Sequence, residues 1–268
     1  MGEHMGRRRE VALVSGAGRG IGAGTARVLG RHGYEVIVNY LSDAAAARDV
    51  VKAIEAEGGT ARALRADVCD EDEAGGLVER VAAEHGGIDV LVCNANTAPP
   101  TFEPLSALPW SAFEHKVVRE LAGAFFLTRR AVAVMRERRA GRIVHVSSTA
   151  AAASAGSIAH SAAKAALEAF SRHAAADAGR FGISVNAVAP GFVLTEASAG
   201  VMPPGLREHL EERSVLGRLM EPEDVGQVIA QLVDRRAAAT AGRLITIDGG
   251  MDVLAQRLAG LTPLSDGD

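Results

Sequence analysis

Three side-chain chemistries meet between Val146 and Leu167, VSSTAAAASAGSIAHSAAKAAL. Ser147 and Ser148 end an apolar run, and His160 and Lys164 follow, four residues apart. Side chains at that spacing share one helix face, so an imidazole and an ammonium stand one turn from each other. Small residues between the serines and Ile158 read as a loop, which sets the hydroxyls at the C-terminal edge of a strand. Open α/β sheets bind their ligands at that edge. A hydroxyl, a fixed cation and the side chain best suited to proton exchange near neutral pH form an acid–base set.

The elements that must carry this set follow from hydrophobic patterning. Short apolar runs at 10–15, 35–39, 60–65, 88–93, 141–147, 183–188 and 242–247 read as strands. Helical stretches alternate with them at 20–31, from a Ser42 cap to 56, 71–85, 110–138 and 158–180. Strands that are apolar throughout and alternate with helices predict an α/β domain, a doubly wound parallel sheet of about seven strands covered on both faces. One domain is expected over 10–252. Residues 1–9, beginning MGEHM, read as an unstructured or vector-derived leader, and 253–268 as a C-terminal tail. The stretch 195–216 interrupts the rhythm and reads as a lid.

A glycine cluster, Ser15-Gly16-Ala17-Gly18-Arg19-Gly20-Ile21-Gly22, joins the first strand to the first helix. Glycines there permit a tight turn and close approach of a pyrophosphate, and the helix start offers free N–H groups and partial positive charge. Placed between a strand and a helix, the cluster predicts a dinucleotide cradle. The second strand ends Asn39-Tyr40-Leu41-Ser42, with no acid before Asp43. A carboxylate at that strand end would bind ribose hydroxyls, whereas a cation nearby accepts a 2′-phosphate. Neutral Asn39, cationic Arg19 and the Ser42 hydroxyl therefore predict NADP(H).

Bulk composition narrows the field further. A formal charge of −4 over 268 residues gives no electrostatic case for nucleic acid or an anionic membrane. Two cysteines, Cys69 and Cys93, are too few for a disulfide framework or a cysteine-rich metal site, so a reducing, cytoplasmic setting is the default. Histidines are scattered without metal-binding spacing, and no apolar run approaches the roughly 20 residues of a membrane span. Richness in Ala, Arg and Gly over Lys points to a GC-rich bacterial genome.

These motifs, with Asp67-Val68, Asn94-Ala95-Asn96, Asn186-Ala-Val-Ala-Pro190-Gly191 with Thr195, and Asp248-Gly249-Gly250, resemble the short-chain dehydrogenase/reductase family over 11–251. The style is closest to bacterial 3-oxoacyl-carrier-protein reductases. The resemblance implies a Rossmann-like fold. It also implies that Asp67 and Val68 flank the adenine, that Asn94 and Ala95 line the cofactor channel, and that Pro190, Gly191, Val193 and Thr195 hold the nicotinamide end. A homodimer or homotetramer is implied, built on the long helix with Val134 and Met135 and on the alanine-rich face around Ala162, Ala163, Ala166, Ala169 and Phe170.

The catalytic pattern of that family departs here. Its Tyr-x-x-x-Lys reads His160 to Lys164, and its helix Asn is Glu120. Tyr34 and Tyr40, the chain's tyrosines, both lie near the second strand. Matching the strand GRIVHVSS to the family's strand selects Ser148 over Ser147. The expected activity is NADPH-dependent ketone reduction. Ser148 would orient the oxygen, His160 would protonate it directly or through water, Lys164 would hold the ribose, and Glu120 would tie Lys164 or His160 into a relay. The ketone would be small, carrier-protein-bound or a polyketide. Non-redox acid–base chemistry such as dehydration or cyclisation, and a retired site in a partner subunit that still binds NADP, are the alternatives.

Overall fold

The computed structural model describes residues 8–154, 156–200, 202–237 and 239–251. The leader and tail expected at 1–9 and 253–268 lie outside these residues, save Arg8 and Arg9. Seven strands form one parallel sheet in the order β3-β2-β1-β4-β5-β6-β7. They are β1 (Val11–Val14), β2 (Glu35–Tyr40), β3 (Thr60–Arg65), β4 (Val90–Cys93), β5 (Gly141–Val146), β6 (Ile183–Pro190) and β7 (Leu244–Ile247). The helices are α1 (Gly20–Arg31), α2 (Ala44–Ala56), α3 (Glu71–His85), α4 (Trp110–Arg138), α5 (Ile158–Gly179), α6 (Glu196–Ala199), α7 (Leu206–Glu212) and α8 (Pro222–Val233). The doubly wound architecture predicted from patterning is the one observed.

Alternate strand residues feed two cores. Ala12 and Val14 point to one face and pack with α1, α2 and α8, through Leu29, Ile54 and Ile229 among others. Val11 and Leu13 point to the other and pack with α3, α4 and α5, through Val78, Leu127 and Leu167. The chain winds outward from β1 to β3, then returns to start β4 on the other side of β1. The crevice above β1 and β4 is thus the topological switch point, where such sheets leave room for a ligand.

Several local expectations are corrected. Asp43, not Ser42, caps α2: its carboxylate accepts the Ala46 N–H at 2.9 Å. Helix α8 was not anticipated, although Pro222 at its first turn and the reciprocal Glu221–Asp224 capping pair announce it. It packs on α1, where a Cβ on Gly24 would stand 2.6 Å from Pro222. Strand β7 is an edge with Leu244 exposed, so both-face coverage fails there. Met135 and Ala163 are core residues rather than an outer interface face, because their helix stripes turn toward the sheet. The exposed apolar residues of α4 are Trp110, Val118 and Phe125. The insert after β6 folds as α6 and α7, and Ser214 and Val215 fasten it to the backbone carbonyl of Gly249.

Candidate active site

A cleft of about 700 Å³ opens at the switch point. Its floor is the β1–α1 turn. Gly16 and Gly20 take positive φ of 61° and 53°, and a Cβ on Gly16 would stand 2.8 Å from the Ala95 backbone. Helix α1 starts at Arg19 with no side-chain cap, whereas α2, α3 and α5 each receive one. The first-turn N–H groups of α1 thus face the cleft without a side-chain acceptor, which suits an anionic ligand. A diphosphate-bearing nucleotide fits this cradle.

Most residues expected to bind the cofactor line the cleft. Gly16, Gly18, Arg19, Gly20 and Ile21 line it from the turn, and Asn39, Tyr40 and Ser42 from the end of β2. Asp67, Val68, Asn94 and Ala95 follow β3 and β4, and Pro190, Gly191 and Thr195 follow β6. Arg19 is exposed and forms no ion pair among the described residues. Asn39 lines the wall, but its side chain turns inward. Its Oδ1 accepts the Gly16 N–H at 3.3 Å, and its Nδ2 donates to the carbonyls of Leu64 and Ala66. It holds the glycine turn to the sheet and offers neutrality rather than a contact. Burial works against the charge on Asp67, yet the Cys69 N–H and the Arg119 guanidinium keep its carboxyl below the ordinary range.

Four of the expected residues stand behind the wall. The Ser15 hydroxyl accepts the N–H groups of Asn94 and Ala95 and so ties β1 to the loop after β4. Gly22 lies under the turn, where a Cβ would meet Asn94 Nδ2 and the Gly16 carbonyl at 2.4 Å. Val193 is buried and bridged to Met220. Glu120 is only 4% exposed, beneath the cleft.

The acid–base set sits at the other end of the cleft. Ser147 and Ser148 separate clearly. The Ser147 hydroxyl donates to Glu168 Oε1 at 2.8 Å, whereas Ser148 Oγ accepts the Ala150 N–H at the head of a 3-10 turn. The Ser148 hydroxyl proton has no acceptor among the described residues and is available to a ligand. His160 lines the cleft one turn before Lys164, and its Nδ1 is enclosed without a partner. Burial, then the positive charges of Lys164 and Lys116, only partly opposed by Glu120, push its imidazole down to about 4. The ring is uncharged at neutral pH.

Lys164 donates to the Val146 carbonyl at 2.7 Å and to Glu120 Oε1 at 2.5 Å. An ammonium carries three protons, so one remains for the cleft. Glu120 Oε2 accepts from Lys116 at 2.7 Å. Burial disfavours the Glu120 carboxylate, but the two ammonium groups hold it below its ordinary range. Lys116, 1% exposed, was not singled out in the sequence; its i, i+4 spacing to Glu120 was the available signal. Cys93 is buried with its thiol pushed up to about 12, as expected of an inert core cysteine. Among the described residues no cluster could hold a metal ion, and no helix is long and apolar enough to cross a membrane.

Comparison with known proteins agrees with this geometry. The family model described as enoyl-(acyl carrier protein) reductase matches residues 16–252. The chain is 39% identical over 251 residues to the cis-4-hydroxycyclohexanecarboxylate dehydrogenase of Sinomonas cyclohexanicum, covering 93% of this chain and 98% of that one. It is 35% identical over 244 residues to a 3-oxoacyl-[acyl-carrier-protein] reductase of Synechocystis sp., covering 90% of this chain and 96% of the relative. The crystal structure of acetoin dehydrogenase from Enterobacter cloacae superposes with a TM-score of 0.81 at 29% identity, covering 95% and 98% of the two chains. A nucleotide cradle at the switch point, an acid–base wall beside it and likeness along nearly the whole chain lead to one conclusion: this protein belongs to the short-chain dehydrogenase/reductase family and is an oxidoreductase with a nicotinamide cofactor.

Proposed function

We propose that the protein interconverts a ketone and its alcohol with NADP(H), acting as a ketone reductase, and that Ser148, His160 and Lys164 serve the reacting end of the cleft. The observation that carries this reading is the convergence of a free hydroxyl, a cleft-facing imidazole and a clamped ammonium beside the nucleotide cradle. Arg19 and the Ser42 hydroxyl would take the 2′-phosphate, and Asn39 adds no opposing charge there. Val68, Asn94 and Ala95 would line the adenine and ribose channel, and Pro190, Gly191 and Thr195 the nicotinamide end. When bound, that cofactor supplies the reducing equivalent.

The chain's own groups then handle the oxygen and its proton. The Ser148 hydroxyl donates to the carbonyl oxygen and fixes its position. With Nδ1 enclosed and unpartnered, proton exchange at His160 falls to Nε2. An uncharged imidazole can polarise a carbonyl through its N–H, so Nε2–H donates to the same oxygen. The proton that completes the alcohol passes from Nε2, directly or through a water held against it, once the ring has taken a second proton from solvent, so that His160 returns to its uncharged form. Run toward oxidation, the neutral tautomer protonated at Nδ1 leaves Nε2 bare to accept the alcohol proton. Lys164 spends two protons on Val146 and Glu120 and would give the third to the ribose. Glu120 fixes that ammonium from behind.

The relatives' names support oxidation and reduction at carbinol and carbonyl carbons: one is a dehydrogenase of a hydroxycyclohexane carboxylate, another a reductase of carrier-bound 3-oxoacyl groups. The exposed Val118 and Phe125 of α4 support assembly into a homo-oligomer, measurable by sedimentation. The activity test is loss of NADPH absorbance with a panel of cyclic, aromatic and thioester-linked ketones. Turnover that His160→Ala abolishes is the expected result. NADPH binding without turnover of any ketone would sink the reading and leave a nucleotide-holding partner subunit. His160→Tyr separates a tuned imidazole, whose activity it destroys, from a vacated tyrosine position, whose activity it raises.

A further inference from the structure

Lys116 belongs to no part of the cleft surface, yet it is bound to the loop after β4 and to the carboxylate that holds Lys164. Its Nζ donates to Asn96 Oδ1 at 2.5 Å, to the Ala98 carbonyl at 2.8 Å and to Glu120 Oε2 at 2.7 Å. Three acceptors require three protons, and a neutral amine has only two. Lys116 is therefore a buried ammonium. Glu120 lies between it and Lys164, one oxygen to each. All three side chains are almost wholly buried. Together they carry two positive charges and one negative, a net of one positive charge behind the cleft wall.

We propose that Lys116 is a positioning residue of this site: it seats the Glu120 carboxylate between two ammonium groups, holds the loop 96–98 that lines the cleft, and leaves the ensemble behind His160 with one net positive charge. Without Lys116, Glu120 and Lys164 would neutralise one another. The charges acting on His160 are Lys164 on its own helix and Lys116 and Glu120 on α4. Burial first, and the excess charge beside it, keep the ring deprotonated, so one uncharged form is present across the physiological range. The importance of that state rests on the reading of His160 as the group at the reacting oxygen; the test below does not.

The His160 ring can be titrated by NMR in the full-length, ligand-free protein carrying ¹³C-labelled histidine, with its signal assigned from His160→Gln. Lys116→Met removes one positive charge at similar volume, and the His160 midpoint should rise by about 1 pH unit. Lys116→Arg keeps the charge and should leave the midpoint near the wild-type value. Lys116→Met combined with Glu120→Gln restores a net charge of one, so the midpoint should fall back toward wild type. A role limited to packing would move the single and double variants alike. A single variant that titrates as wild type does, or a double variant that stays with the single, overturns the proposal. Should Lys116→Met alone fail to fold, the double variant still decides: a wild-type midpoint supports charge positioning, and a raised one refutes it. Ketone turnover is not consulted, so an inactive protein would undo the functional reading and leave this result standing.

Discussion

In the proposed NADP(H) site, cofactor choice turns on Arg19, whose guanidinium lines the cleft and forms no ion pair among the described residues. At about 4 Å, one phosphate charge attracts a guanidinium by about 4 kcal/mol at an effective dielectric of 20. Arg19 is exposed, so solvent and the cost of ordering its side chain reduce this to about 1.4 kcal/mol, or tenfold in affinity. Arg19→Ala should therefore weaken NADPH binding about tenfold and leave NADH almost unchanged, since NADH has no 2′-phosphate. Titration of nucleotide fluorescence with each variant measures both constants. Raising salt should narrow the gap between wild type and variant. Equal losses for the two cofactors would place Arg19 on the shared pyrophosphate instead. Tighter binding of NADH by the wild-type protein would overturn the NADP(H) assignment altogether.

Two structural consequences can be checked alongside. His145 is fully buried, with Nε2 2.9 Å from the Thr128 hydroxyl, and burial followed by the Lys164 charge pushes its imidazole down to about 4. Because that value lies below the unfolded one, its contribution is complete above about pH 6.5 and is lost as the pH falls toward 4, by at most about 3 kcal/mol. His160 acts in the same window, so the thermal midpoint should drop on acidification, and His145→Gln should flatten the curve. An unchanged slope would remove His145 from the account. Gly22→Ala drives a Cβ to 2.4 Å from both Asn94 Nδ2 and the Gly16 carbonyl. It should cost about 1 to 3 kcal/mol of stability and reduce NADPH affinity, visible in calorimetry and nucleotide titration.

What the sequence disclosed was local in origin. The glycine turn between strand and helix, the i, i+4 pair His160–Lys164 and the alternation of apolar runs are short-range patterns, and each survives in the fold. What stayed hidden depends on where a helix face ends up. Glu120 stands out in the sequence, but Lys116 reads as one more polar position on a long helix, and only the packing of α4 against α5 and the loop after β4 buries it. Asn39 shows the same limit. Its neutrality could be read, but its inward hydrogen bonds to β3 and the glycine turn are tertiary facts. Helix α8 was passed over although its start in Glu221-Pro222 was legible and its faces are distinct, with Val225, Ile229 and Val233 buried and Gln227 and Gln231 exposed.

The buried ions weigh on whether the site works or has been retired. Taking a charged group out of water costs several kcal/mol, and mutual attraction seldom repays more than that; apolar residues of similar volume are often at least as stable in such places. Lys116, Glu120 and Lys164 are thus a poor device for holding a fold together. A chain that needed only Lys164 to hold a nucleotide could fill the places of Lys116 and Glu120 with leucine and methionine at little loss. Instead the carboxylate meets one ammonium with each oxygen, and a proton of Lys164 is left over on the cleft side. Lys116 also matters to Glu120, since a carboxylate paired with Lys164 alone would cancel that charge beside the imidazole. Physical cost incurred at one end of a nucleotide cleft, in groups matched to one another, argues for chemistry still performed there.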